Sequence, residues 1–199
     1  MSKVPASPTT SPWTITTPRI VTAGAFSAIT IILGVVPYLG FIPLPNISGS
    51  ATTEHIPTIL GGVIGGPIVG IFTGLIFGLL SFTRATVPLF KDPLVAILPR
   101  LFIGLTAWAT FAALARFNRN VAAATAGFIG SATNTVLVLT MAVWRGYIPL
   151  ALLVTIIPQA AIEAVIAAII TTILASAFFV VQGRLVRAPE KKSRDQLHY

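Results

Sequence analysis

The chain has 199 residues, 55% hydrophobic and 9% charged, with a net charge of +8 and a mean hydropathy of +0.91. A soluble domain carries about 25% charged residues, so this composition excludes an ordinary soluble enzyme, a disordered protein and a nucleic-acid-binding module. The absence of cysteine excludes disulfides, thiol catalysis and Cys-ligated metals.

The apolar residues fall in long blocks, the pattern of bilayer-spanning helices, and at about 20 residues per span the chain has room for roughly six. Residues 1–18 are rich in Ser, Thr and Pro and predict a disordered polar lead without the order of a cleavable signal peptide. Residues 20–42 predict the first span, and Pro43, Pro45, Asn46, Ser48 and Gly49 mark the loop after it. Residues 55–66 form a second, short apolar stretch, and residues 68–82 form a third after Pro67. A polar loop over 84–92 leads to a fourth span at 93–115, a basic turn at 116–120 and a fifth span at 121–143. A loop at 144–149 precedes the sixth span, 150–181, which is too long for one upright crossing and must tilt, kink at Pro158 or project into water. The expected organisation is thus a lead at 1–18, a six-helix membrane domain at 19–183 and a basic tail at 184–199.

Six crossings place both termini on one side. Lys3, Arg19, Arg116, Arg119, Arg184, Arg187, Lys191, Lys192 and Arg194 then share that side, with Arg84, Lys91 and Arg145 opposite. The side richer in Lys and Arg is the cytoplasmic one, so both termini are expected inside.

Gly62, Gly66, Gly70, Gly74 and Gly78 recur every fourth residue across the second and third stretches, which predicts a small helix face open to close backbone approach. Packing within the bundle is the expected use of that face. Gly24 and Ala28 form a second small face on span one, suited either to internal packing or to another membrane subunit.

Polar side chains within the spans carry more information, because an ionisable one costs about 2.5–3.5 kcal/mol at mid-membrane. Glu163 lies roughly 20 Å from the outer end of span six at about 1.5 Å per residue, with Gln159 one turn above it. Asn134 sits in span five, Arg100 in span four after Pro99, and His55 opens the second stretch beside Glu54. By depth, His55, Arg100, Asn134 and Gln159 belong to the outer half, predicting a polar pocket that opens outward. The structural alternatives are that Arg100 pairs with Glu163 or a loop carbonyl and that Asn134 bridges two helices. Arg84, Lys91, Trp144 and Arg145 give the outer loops a basic, aromatic rim suited to an anionic solute or to lipid headgroups.

The chain has no phosphate-cradling Gly-rich loop followed by Lys, no His-Glu-x-x-His pair and no base placed beside a nucleophile. No catalytic residue, metal ligand or cofactor site is therefore predicted.

The segment HIPTILGGVIGGPIVGIFTGLIFG (residues 55–78), LPRLFIG (98–104) and GSATNTVLVL (130–139) resemble the substrate-binding S components of energy-coupling factor (ECF) vitamin transporters. The resemblance covers about residues 20–180 and is strongest to the pantothenate type. It implies an all-α bundle of six transmembrane helices in a prokaryotic plasma membrane, with both termini cytoplasmic. It also implies a vitamin site near the outer face, closed by the loops between spans one and two and spans three and four. The implied partners are a transmembrane coupling subunit and two cytoplasmic ATPases. In the family a small-residue motif on the first helix docks the coupling subunit, and Gly24 and Ala28 occupy the matching positions, Gly standing for the usual Ala. The implied mechanism is outward binding followed by toppling to release the vitamin inside. For pantothenate, Arg100 is suited to its carboxylate, with Asn134, Gln159, His55, Glu163 and Trp144 as further substrate-binding candidates. Riboflavin, folate, cobalamin, a thiamin precursor and a solitary transporter needing no partners are the alternatives.

Overall fold

The computed structural model describes residues 11–36, 38–43 and 50–186. The first helix, α1 (Thr17–Val35), starts with Pro18 in its first turn, where proline's missing N–H costs no helical hydrogen bond. The polar lead is more ordered than expected where it is described. Trp13 packs edge-on against Trp108 at 5.7 Å, and the Arg19 guanidinium donates to the carbonyls of Ser11, at 2.9 Å, and Thr14. An indole that finds an apolar partner, and a cation that satisfies two loop carbonyls, are enough to fix this short segment.

Next comes a hairpin that the all-helical expectation omitted. Strands β1 (Phe41–Pro43) and β2 (Ser50–Thr52) pair antiparallel, Phe41 opposite Thr52 and Pro43 opposite Ser50. Three-residue strands are too short to show alternation, and the flanking Pro, Asn and Gly read as loop. Pro45, Asn46, Ser48 and Gly49 lie outside the described residues.

Helix α2 (His55–Leu60) runs into a π-helical turn (Gly61–Gly65), and α3 (Pro67–Thr83) follows. Gly66 separates them with φ of +94°, a left-handed conformation open to glycine but strained for other residues. It is therefore the break in the glycine series and not part of its packing face. The other four glycines pack inside the bundle as expected. A methyl group on Gly70 would meet Gly104 Cα at 2.8 Å, and one on Gly78 would meet Ile97 Cα at 2.8 Å. Gly62 likewise faces the Gly104 carbonyl, and Gly74 faces that of Arg100.

A 3₁₀ turn (Pro88–Lys91) and a short helix α4 (Pro93–Ala96) precede α5 (Leu98–Leu114). Helix α6 (Arg119–Trp144) is capped by Asn118, whose side chain accepts from the N–H groups of Asn120 and Val121. The last helix, α7 (Leu153–Val186), has 34 residues and continues through Pro158. At about 1.5 Å per residue it is about 51 Å long, well beyond the roughly 30 Å apolar thickness of a bilayer. Among the described residues, four stretches are long and apolar enough to cross a membrane, and the 55–65 and 67–83 helices are shorter apolar segments.

In the packing order, α1 lies on α3, α3 on α5, α5 on α6 and α6 on α7, with α2 touching all five. Every residue of α2 is buried. Ile56, Ile59 and Leu60 join Phe77, Ile103, Ala107 and Ala126 in one core cluster. A second cluster of Leu89, Val95, Val138, Ala142 and Ile148 sits where the 3₁₀ turn meets the end of α6. The central placement of α2 buries His55 and Thr58 along with its apolar residues.

Candidate functional site

A small cavity of about 60 Å³ lies between α6 and α7 under the hairpin and the 3₁₀ turn, lined by Thr52, Phe90, Asn134, Val138, Gln159 and Glu163 among others. Three sequence-predicted residues, Asn134 from α6 and Gln159 and Glu163 from α7, therefore meet at this cavity. Gln159 Nε2 donates to Glu163 Oε1 at 2.7 Å, the one-turn pairing their spacing predicts. Asn134 is 7% exposed, and its Oδ1 has no hydrogen-bond partner among the described residues. A buried amide oxygen left open in this way is a ready acceptor for a hydroxyl or amide donor.

Arg100 is placed close by but not on the cavity wall. It is 3% exposed, and its Nη1 donates to the Val95 carbonyl at 2.6 Å while Nε has no partner. Its guanidinium carbon lies 5.0 Å from the centre of the Phe90 ring and 5.3 Å from that of Phe77. Of the structural partners expected for Arg100, Glu163 or a loop carbonyl, it finds a carbonyl, but that of Val95 in the short helix α4. Glu163 is engaged by Gln159 instead. Phe90 lines the cavity and also covers Arg100, so one aromatic ring borders both.

His55 is buried beside the Thr52 backbone, and it does not line the cavity. Glu54, fully buried with both carboxylate oxygens unpartnered, is an electrostatic neighbour of Arg100 and Arg84. Its carboxyl occupies the space that a side chain on Gly34 would need. Trp144 stands apart from the cavity, 70% exposed at the end of α6.

Next to Trp144, Arg145 makes the one salt bridge found among the described residues. Its Nε donates to Asp92 Oδ2 at 2.6 Å. The hydrogen bond from Arg145 holds the Asp92 carboxyl below the usual carboxylate range, helped by the Leu94 N–H and the Tyr147 hydroxyl and opposed by burial. The Asp92-Pro93 pair carries the sequence signature of a helix cap, and Asp92 Oδ1 does accept from the Leu94 N–H at 3.0 Å. Its other partner lies 53 residues away in sequence and left no local signal.

Gly24 and Ala28 are exposed on α1, and a side chain on Gly24 would meet no atom within 4 Å. Gly24 lines an apolar groove of about 360 Å³ with Ile15, Ile20, Ala23, Ile68 and Phe72. No cluster of three or more metal-ligating side chains occurs among the described residues.

Comparison with known proteins bears on the fold and the family. A solved S component of a bacterial ECF transporter superposes with a TM-score of 0.60 at 18% identity, over 86% of this chain and 98% of that one. The pantothenic acid transporter PanT of Lactococcus lactis subsp. cremoris (strain MG1363) is 30% identical over 45% of this chain and 54% of its own length. The chain thus matches about half the length of that curated relative. The family model described as "ECF transporter, substrate-specific component" matches residues 18–175, nearly the whole helical bundle. With the family model matching most of the helical bundle, the chain belongs to the substrate-specific components of ECF transporters.

Proposed function

We propose that this chain is the vitamin-binding subunit of an ATP-driven uptake transporter and that its substrate is pantothenate. The observation that carries the reading is a cavity walled by Asn134, whose buried Oδ1 is unpaired, and by Phe90, whose ring covers the buried Arg100 with its unpaired Nε. Intramembrane polar groups of this kind mark substrate paths. Pantothenate offers a carboxylate, an amide and hydroxyls. Arg100 takes the carboxylate through a charge-assisted hydrogen bond. Asn134, Gln159 and Glu163 take the hydroxyls and amide, and His55, buried off the cavity wall, is a further candidate donor or acceptor. Support for pantothenate over other vitamins comes from the similarity to a protein named a pantothenic acid transporter.

In this reading six segments cross the plasma membrane with both termini inside, the site opens outward, and the bound vitamin is released inside after the subunit topples. The exposed α1 face that carries Gly24 and Ala28, with the groove beside Gly24, is the docking face for a transmembrane coupling subunit, which two cytoplasmic ATPases drive. Its apolar walls and lack of bulk at Gly24 suit close contact with another membrane helix.

Native mass spectrometry on detergent-purified protein, followed by identification of the released small molecule, tests the substrate. A stoichiometric pantothenate adduct is expected. Another vitamin would keep the transporter and reassign the pocket. No binding across a vitamin panel would overturn the reading. Uptake into liposomes is expected only with the coupling subunit, the ATPases and ATP, and uptake by this chain alone would identify a solitary transporter.

A further inference from the structure

The cavity of about 60 Å³ is too small for the proposed substrate, since sites for small organic ligands measure about 300–1,000 Å³. The side chain that borders both this space and Arg100 is Phe90. It sits on the 3₁₀ turn Pro88–Lys91, whose Leu89 is buried against Val138, Ala142 and Ile148. Two residues on, Asp92 makes three separate attachments. Oδ1 caps α4 at Leu94, and Oδ2 accepts from Arg145 Nε at 2.6 Å and from the Tyr147 hydroxyl at 3.4 Å. Asp92 is 6% exposed, whereas Arg145 is 44% exposed and reachable by water and ions.

We infer that Phe90 and Asp92 are positioning residues of the substrate site. Asp92 fastens the turn to the outer end of α6 through Arg145 and Tyr147, and the turn holds Phe90 over Arg100, so substrate enters and leaves when this latch opens. The inference rests on the functional reading above and adds to it the side chain that shields the cation and the ion pair that controls its exposure. A substrate carboxylate takes the place of the Phe90 ring beside Arg100. While the latch is closed, Arg100 is screened from other anions.

Rates of labelled pantothenate binding and release test this in purified full-length protein, with thermal unfolding measured on each variant. Asp92→Asn keeps an oxygen to cap Leu94 but loses the charge. Arg145→Gln alters the exposed partner and leaves the cap intact. Both variants are expected to raise the association and dissociation rates by about two- to five-fold, the range for an ion pair of this exposure, with Kd changing less than either rate. The double variant is expected to match the singles, because both remove one interaction. In the wild type, added salt is expected to speed dissociation by screening the pair, and in Asp92→Asn this dependence should vanish. A general loosening of the fold would not remove it. Phe90→Ala is expected to act in the same direction and more strongly.

Wild-type rates in folded Asp92→Asn and Arg145→Gln proteins would overturn the inference, as would additive effects in the double variant. If the wild type binds a different vitamin, the same comparison is made with that vitamin. A wild-type protein that binds none overturns the functional reading and this inference with it.

Discussion

Arg100 combines a buried charge, one backbone acceptor and two aromatic rings, and each predicts a different effect of substitution. Losing a hydrogen bond to a charged partner costs about 1.5–3 kcal/mol, so Arg100→Ala is expected to weaken pantothenate binding about 10- to 150-fold. Arg100→Met fills more of the space between Phe77 and Phe90, so it should lose affinity equally but unfold at a higher temperature than Arg100→Ala. Isothermal titration and thermal unfolding of both proteins separate the two effects. Unchanged affinity in a folded Arg100→Met protein would remove Arg100 from the site. Asn134 makes the complementary case, because its Oδ1 has no partner to lose. Asn134→Leu is expected to leave stability level or higher while weakening binding. Asp92 supplies the pH behaviour. Its folded-state value lies below the ordinary 3.8, so its contribution is present above the unfolded value and is lost only as pH falls through the lowered one. Vitamin release should therefore be flat over about pH 5 to 8 as far as this latch is concerned. A release rate that climbs within that window in wild type but not in Asp92→Asn would contradict the assignment.

The glycines show how residues of one type serve two helices differently. Gly70 lies against Gly104 with no room for a methyl group, whereas nothing lies within 4 Å of the position a side chain on Gly24 would take. Gly70→Ala is therefore expected to destabilise the bundle by about 1–3 kcal/mol, the usual cost of overpacking, read as a lowered unfolding temperature. Gly24→Leu should leave that temperature unchanged while reducing capture of the coupling subunit and ATP-driven uptake. Full uptake by Gly24→Leu would move the docking face elsewhere. The four-residue spacing of the glycine series was visible without coordinates, and so was the close packing it serves. The role of Gly66 as the break was not, because periodicity does not reveal backbone handedness. The β1–β2 hairpin escaped notice for a related reason, its strands being shorter than the pattern that would announce them.

At the scale of the molecule, the amino-acid sequence determined that apolar helices dominate, where most of them begin and end, and which few polar side chains must be hidden among them. These follow from local physics: a run of apolar residues has one favourable environment, and a turn of helix brings Gln159 to Glu163 wherever the helix lies. Depth alone grouped Asn134 and Gln159 with His55 and Arg100, and helical spacing set Glu163 one turn from Gln159. Only the tertiary structure decided that Arg100 rests behind Phe90, that His55 is buried off the cavity wall, and that Trp144 stands apart from it. It alone joined Asp92 to Arg145 across 53 residues. Depth along a helix axis is written in the order of residues, but rotation about that axis and the neighbour it meets depend on how all the helices pack together.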